Sequence, residues 1–172
     1  GYARMTGKPA ATLLHLGPGL ANGIANLHNA RRANSPMINI VGNHPSYHVG
    51  FDAPLTSDIE TLAKNYSSWI KSSSTNETLA QDGADAYTAT LRQSTGSNGQ
   101  IATLIMGADA AWGESSGPVM PNALPQRSKI DEQVIEKIAQ LLEKGGRNVM
   151  ILEHHATNPD ALAAASRIAS KA

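Results

Sequence analysis

Six histidines and no cysteine set the chemistry open to this 172-residue chain. Histidine exchanges protons near neutral pH and ligates metals. Thiolate catalysis, thiolate metal sites and disulfides are excluded. Two of the histidines stand in corresponding places. His15 closes a short apolar run just before Gly17, Pro18 and Gly19, and His44 follows Asn43 just past a second run that ends at Gly42. Glu153-His154-His155 is the best local metal candidate, but neighbours on an extended segment point to opposite sides. His44, His48 and Asp52 share a loop without a metal motif such as HExxH. No metal ligands are assigned. A serine-histidine-aspartate set could be assembled from parts, but the GxSxG elbow is missing. Gly17-Pro18-Gly19 is neither a GxGxxG fingerprint nor a Walker lysine loop. His28, among Asn26 and Asn29, reads as a surface or packing residue.

Histidines at strand ends act together only if the ends meet. Residues 11–14 read as a buried strand, followed by a tight turn at 17–19 and a helix with Leu20, Ile24 and Leu27 on one face. Residues 37–41, entered through Pro36, read as a second strand. Strand, helix and strand of these lengths form a right-handed βαβ unit, which makes the strands parallel. His15, Asn43 and His44 are then expected to line one crevice at the carboxyl edge, where open α/β sheets bind ligands. The helix carries Ala21, Gly23 and Ala25, a small face on which a partner could approach.

Further along, 46–54 reads as an irregular loop with Tyr47, His48 and Asp52. Ser57 is expected to cap a short helix, and 65–70 to form a strand followed by a polar linker at 72–75. Ser74 and Glu77 have capping-box spacing for a helix running to about Gln93. A loop at 94–99 leads to a strand at 101–106, with Gly107 and Asp109 beyond. Residues 113–129 hold three prolines and two glycines without periodicity, and read as an exposed interdomain linker. Asp131 then caps a helix with Val134, Ile135, Ile138, Leu141 and Leu142 on one face, ended by Gly145-Gly146. A strand at 149–152 and a helix opened by Asn158-Pro159 follow. The fold class is therefore α/β, a parallel sheet flanked by helices over residues 1–112. A linker spans 113–129, and the beginning of a second α/β domain occupies 130–172.

Composition narrows the partners. Formal net charge is zero, so nothing supports nucleic-acid or anionic-membrane binding. No apolar stretch approaches a membrane span, and the lack of cysteine fits the cytoplasm. Aromatic residues are 4% of the chain, so aliphatic side chains must fill the core. Residues 1–5 look like the last turn of a helix, closed by Gly7 with Pro9 beyond. The far end runs into an alanine-rich helix without a stop signal. The chain is expected to be a piece of a longer protein.

Gly1-Tyr2-Ala3-Arg4, Gly7-Lys8-Pro9 and a strand leading to Gly17-Pro18-Gly19 with Asn22 together resemble a known domain. It is the pyrimidine-binding domain of thiamine-diphosphate enzymes, in the acetolactate synthase and benzoylformate decarboxylase group. Pro36 before a strand ending in Gly42 fits the next element, 101–106 into Asp109-Ala110 fits the closing strand, and the Asp131 helix resembles the start of the central domain. The resemblance implies thiamine diphosphate and Mg2+ as cofactors and a 2-oxo acid as substrate. Decarboxylation would leave an enamine on the cofactor, which is protonated or added to a second carbonyl. His15 matches the active-site histidine of benzoylformate decarboxylase, where acetolactate synthases have threonine. Asn43 stands where many members carry a glutamine.

The resemblance places His15 as a catalytic residue and Gly17, Pro18, Gly19, Asn22 and Asn43 at the cofactor, and His44, expected in the same crevice, joins His15 as a catalytic candidate. It implies a homodimer or homotetramer with the site between subunits. The family's cofactor-activating glutamate and its magnesium-diphosphate segment have no counterpart in this chain, which puts activity of the chain alone in doubt. Two other readings stay open: a non-catalytic α/β interaction module, and a histidine-dependent hydrolase or metalloprotein.

Overall fold

The computed structural model describes residues 1–92, 100–115, 117–124 and 129–171. The loop expected at 94–99 lies outside the described residues, as do the side chains of His154 and His155. Two compact units result, Gly1–Pro125 and Gln126–Ala172.

The first unit is built on four parallel strands: β1 (Ala10–His15), β2 (Met37–Asn43), β3 (Trp69–Ser73) and β4 (Ile101–Gly107), in the spatial order β1-β2-β4-β3. This parallel sheet flanked by helices is the fold class that the βαβ pattern predicts. Helix α1 (Tyr2–Thr6) ends at Gly7, whose φ of 68° is the left-handed stop expected there. Helix α2 (Leu16–Arg32) joins β1 to β2. Short helices α3 (Ser46–Val49) and α4 (Ile59–Lys64), then α5 (Asn76–Leu91) and α6 (Ala108–Trp112), complete the unit.

Side chains alternate along each strand, so each layer of helices takes one set. Leu16, Leu20 and Leu27 of α2 pack with Ile59 and Ala63 of α4 on Val41, Ile101 and Ile105. Ala102 and Leu104 are buried on the other face, which α5 covers with Ala84 and Ala86. Within the first layer, three paired positions are polar. Thr12 Oγ1 donates to Asn39 Oδ1 at 3.0 Å, and Asn39 Nδ2 donates to Thr103 Oγ1 at 3.2 Å. Asn39 and Thr103 are completely buried, so these bonds replace the water they lost.

Several boundaries differ from expectation. The run at 11–14 is half-exposed: Leu14 packs on the core, but Leu13 on the opposite face is 72% accessible. The third strand starts at Trp69, not residue 65, because Tyr66 and Ser67 still donate to Ala63 at the end of α4. It runs through Lys71, Ser72 and Ser73, which hides it as a polar linker, since β3 is an edge strand with mostly exposed polar residues. The caps shift by one residue: Asp58, not Ser57, receives Thr61 N–H, and Thr75, not Ser74, receives Thr78 N–H. Glu114 and Asn122 are tied to α5, with Asn76 Nδ2 donating to the Glu114 carbonyl and Asn122 Nδ2 to Asp85 Oδ1.

The second unit contains α7 (Glu132–Glu143), capped by Asp131, a 3₁₀ turn (His154–Thr157), and α8 (Pro159–Ala169), capped by Asn158. Both caps are the predicted residues. The strand expected at 149–152 does not form: the stretch has no ladder partner among the described residues, and Val149 and Ile151 are over 80% accessible. Among the described residues no helix is long and apolar enough to cross a membrane.

Candidate active site at the carboxyl edge of the sheet

Parallel pairing puts all four strand ends on one edge. His15 pairs with Gly42, Gly42 with Met106, Asn43 with Gly107, and Ser73 with Met106. Adjacent strands lie about 4.8 Å apart, so His15 and the Asn43-His44 pair end neighbouring strands. The two strand-end histidines picked from the sequence are brought to one edge.

The turn after β1 differs from the reading of a separate Gly17-Pro18-Gly19 loop. The chain reverses at Leu16, whose φ is 54°, and α2 begins there, so the three residues form its first turn. Proline is tolerated in that position because its missing N–H has no helical acceptor. Leu16 accepts the left-handed backbone because its side chain is 98% buried in the core. His15 is the residue preceding the helix, and its side chain is exposed.

The glycines have distinct reasons. A Cβ on Gly17 would lie 2.0 Å from Ser57 Oγ, so Gly17 lets the segment before α4 close on α2. A Cβ on Gly19 would sit 3.5 Å from His15 Cβ, an ordinary contact. Pro18 and Asn22, four residues apart, are both exposed on one side of α2. Gly23 does not belong to an outward small face, because a Cβ there would meet Leu14 Cδ1 at 3.0 Å. Ala21 and Ala25 do face outward.

At the end of β2, Asn43 Oδ1 accepts the His44 N–H at 2.8 Å. The His44 ring is edge-on to His48 at 5.2 Å between centroids, and His48 lies 5.7 Å from Phe51. His44 Nε2 is buried without a partner among the described residues. The loop expected at 46–54 contains one helical turn, α3, which carries His48, while His44 lies just past the end of β2. Asp109 Oδ2 accepts both the Ser46 N–H at 2.9 Å and the Ser46 hydroxyl at 2.5 Å. These two donors hold the Asp109 carboxyl below its ordinary range. Asp109 is visible in the sequence as the acid beyond a strand, but its partner lies 63 positions away, where no local pattern points. Among the described residues no group of three or more histidines and carboxylates is arranged to hold a metal.

Comparison with known proteins meets this geometry. Residues 1–68 match the family described as thiamine pyrophosphate enzyme, N-terminal TPP binding domain. A Mycobacterium tuberculosis protein, described provisionally as acetolactate synthase large subunit IlvX, is 45% identical over 168 residues. That alignment covers 98% of this chain and 31% of the relative, so the chain spans less than a third of the relative's length. The mitochondrial acetolactate synthase catalytic subunit of Saccharomyces cerevisiae is 32% identical over 69 residues, 40% of this chain and 10% of that protein. The fold matches the Rhodococcus jostii thiamine diphosphate-dependent 4-hydroxybenzoylformate decarboxylase with a TM-score of 0.71, at 19% identity, over 83% of this chain and 27% of that one. These matches agree with the resemblance carried by Gly1-Tyr2-Ala3-Arg4, Gly7-Lys8-Pro9 and Gly17-Pro18-Gly19 with Asn22, and with its acetolactate-synthase-like group.

Proposed function

We propose that this chain forms the latter part of the pyrimidine-binding domain of a thiamine-diphosphate-dependent enzyme acting on 2-oxo acids, as a decarboxylase or a carboligase. Residues 130–172 would open its central α/β domain. What supports this reading is that β1 and β2, which run into His15 and into Asn43-His44, are parallel neighbours ending on one sheet edge, within a chain of which 98% aligns with an acetolactate-synthase-like relative. When bound, thiamine diphosphate supplies the carbanion chemistry by which 2-oxo acids lose carbon dioxide.

The residues at the edge fit a polar aromatic ring. His44 Nε2 is a buried nitrogen without a partner among the described residues, and Asn43 Oδ1 accepts the His44 N–H. The exposed His15 imidazole would be the group that gives or takes a proton in the bound complex. Gly17, Pro18, Gly19 and Asn22 would flank the cofactor from the first turns of α2. We assign Mg2+ and the diphosphate to other parts of a longer protein, and the complete site to an interface in a homodimer or homotetramer in the cytoplasm.

In that longer protein, His15→Ala should lower turnover by about 10²–10⁴-fold without unfolding it. Calorimetric titration of the 172-residue chain with thiamine diphosphate and Mg2+ should show weak binding or none. An unchanged rate in the variant returns His15 to a packing role, and tight binding by the chain overturns the assignment of the anchor elsewhere.

A further inference from the structure

The turn that brings His48 against His44 is held mainly by bonds within itself. His48 N–H and Val49 N–H both donate to the Pro45 carbonyl, and Phe51 N–H donates to the His48 carbonyl. Such bonds keep the shape of a turn but leave its orientation free to swing about the end of β2. Ser46 ties it down, through two donors to one oxygen of Asp109 across 63 positions of sequence. A charged acceptor makes such bonds shorter and stronger than neutral ones.

Asp109 is itself aimed. Its Oδ1 receives the Ala110 N–H at 3.2 Å and lies 2.6 Å from where a Cβ on residue 107 would be. A Cβ at 107 would push this carboxylate aside, so glycine there lets it keep its present position. That same point is 3.7 Å from the carbonyl oxygens of His44 and Ser73, so the ends of β2, β3 and β4 converge on Gly107.

We propose that Asp109 is a positioning residue: through Ser46 it fixes the orientation of the His44–His48 ring pair at the carboxyl edge of the sheet. The importance of that pair to catalysis rests on the function proposed above; its geometry does not. The alternative role for Asp109 is local, as the acid in the first turn of α6.

The test is the NMR spectrum of the imidazole C–H groups in the 172-residue chain, without cofactor, assigned with His44→Gln and His48→Gln. In Asp109→Ala the His44 and His48 signals should lose their separation and move toward free histidine, while His15 and His28 stay in place. Asp109→Asn, which keeps an oxygen facing Ser46, should retain most of the separation. Ser46→Ala, which keeps the backbone donor, should fall between the two. Adding Ser46→Ala to Asp109→Ala should produce no further change, because both remove one contact. Unmoved His44 and His48 signals in Asp109→Ala, with changes confined to α6, overturn the proposal. If Asp109→Ala does not fold, native signals in Ser46→Ala overturn it instead. Failure of cofactor binding by the longer protein would sink the proposed function and leave this spectrum as it is.

Discussion

Helices α2 and α7 begin from similar material and end differently. Both carry an apolar stripe at helical spacing. In the first unit, Leu16, Leu20 and Leu27 of α2 are buried, because a parallel sheet lies beneath them. In the second unit, Val134, Ile135, Ile138 and Leu141 of α7 remain about half-exposed, and neither α7 nor α8 buries a residue among those described. Caps and periodicity are enough to form a helix, but burial needs a second layer. The extended stretch at 149–151 makes the same point for strands: apolar residues alone do not make a ladder.

The contrast can be broken most directly by truncating matched leucines. Leu20→Ala should cost about 2–5 kcal/mol, since the side chain is completely buried. Leu141→Ala should stay within about 0.5 kcal/mol, as for other exposed positions. Urea unfolding of the chain measures both, and equal costs would erase the distinction between the units. Gly17→Ala sharpens the account of the first unit, because its methyl would collide with Ser57. We expect a loss of about 1–3 kcal/mol, against little change for Gly50→Ala, where a Cβ meets nothing within 4 Å.

The smallest expected effect is acid sensitivity. Thr61 donors lower the Asp58 pKa and Ser46 donors lower that of Asp109, both from an ordinary 3.8. A carboxyl with a depressed folded pKa adds stability above its unfolded pKa, and loses it as pH falls through the folded one. Stability should therefore decline below about pH 4, and Asp58→Asn with Asp109→Asn should flatten that decline. An unaltered acid limb in the double variant would show that neither pair contributes. Both carboxyls are exposed, so solvent keeps the effect small.

The strands ending in His15, Asn43 and Gly107 were legible because each holds a short apolar run with a glycine at or near its carboxyl end. So were the Asp131 and Asn158 caps, whose chemistry is local. Strand β3 was misplaced because Lys71, Ser72 and Ser73 occupy an edge and need not be apolar. The helix start at Leu16 was hidden, since a leucine with positive φ breaks the rule that reserves that region for glycine. Of the site, the strand-end histidines were readable by position. The Ser46–Asp109 contact was not, because only the folded sheet sets the two residues side by side.

Strand β4 lies between β2 and β3, yet it is the last of the four to leave the ribosome. Until residues 101–107 exist, the growing chain can pair β1 with β2 only, and β3 has no neighbour at all. At about 5–20 residues per second, the apolar faces of three strands then wait several seconds for one insertion. Asn39 and Thr103, which meet across that insertion, are 64 positions apart, a long loop to close before any reward. The first unit should thus assemble in a single late step, and a nascent chain stalled before Ile101 is a natural client for chaperones.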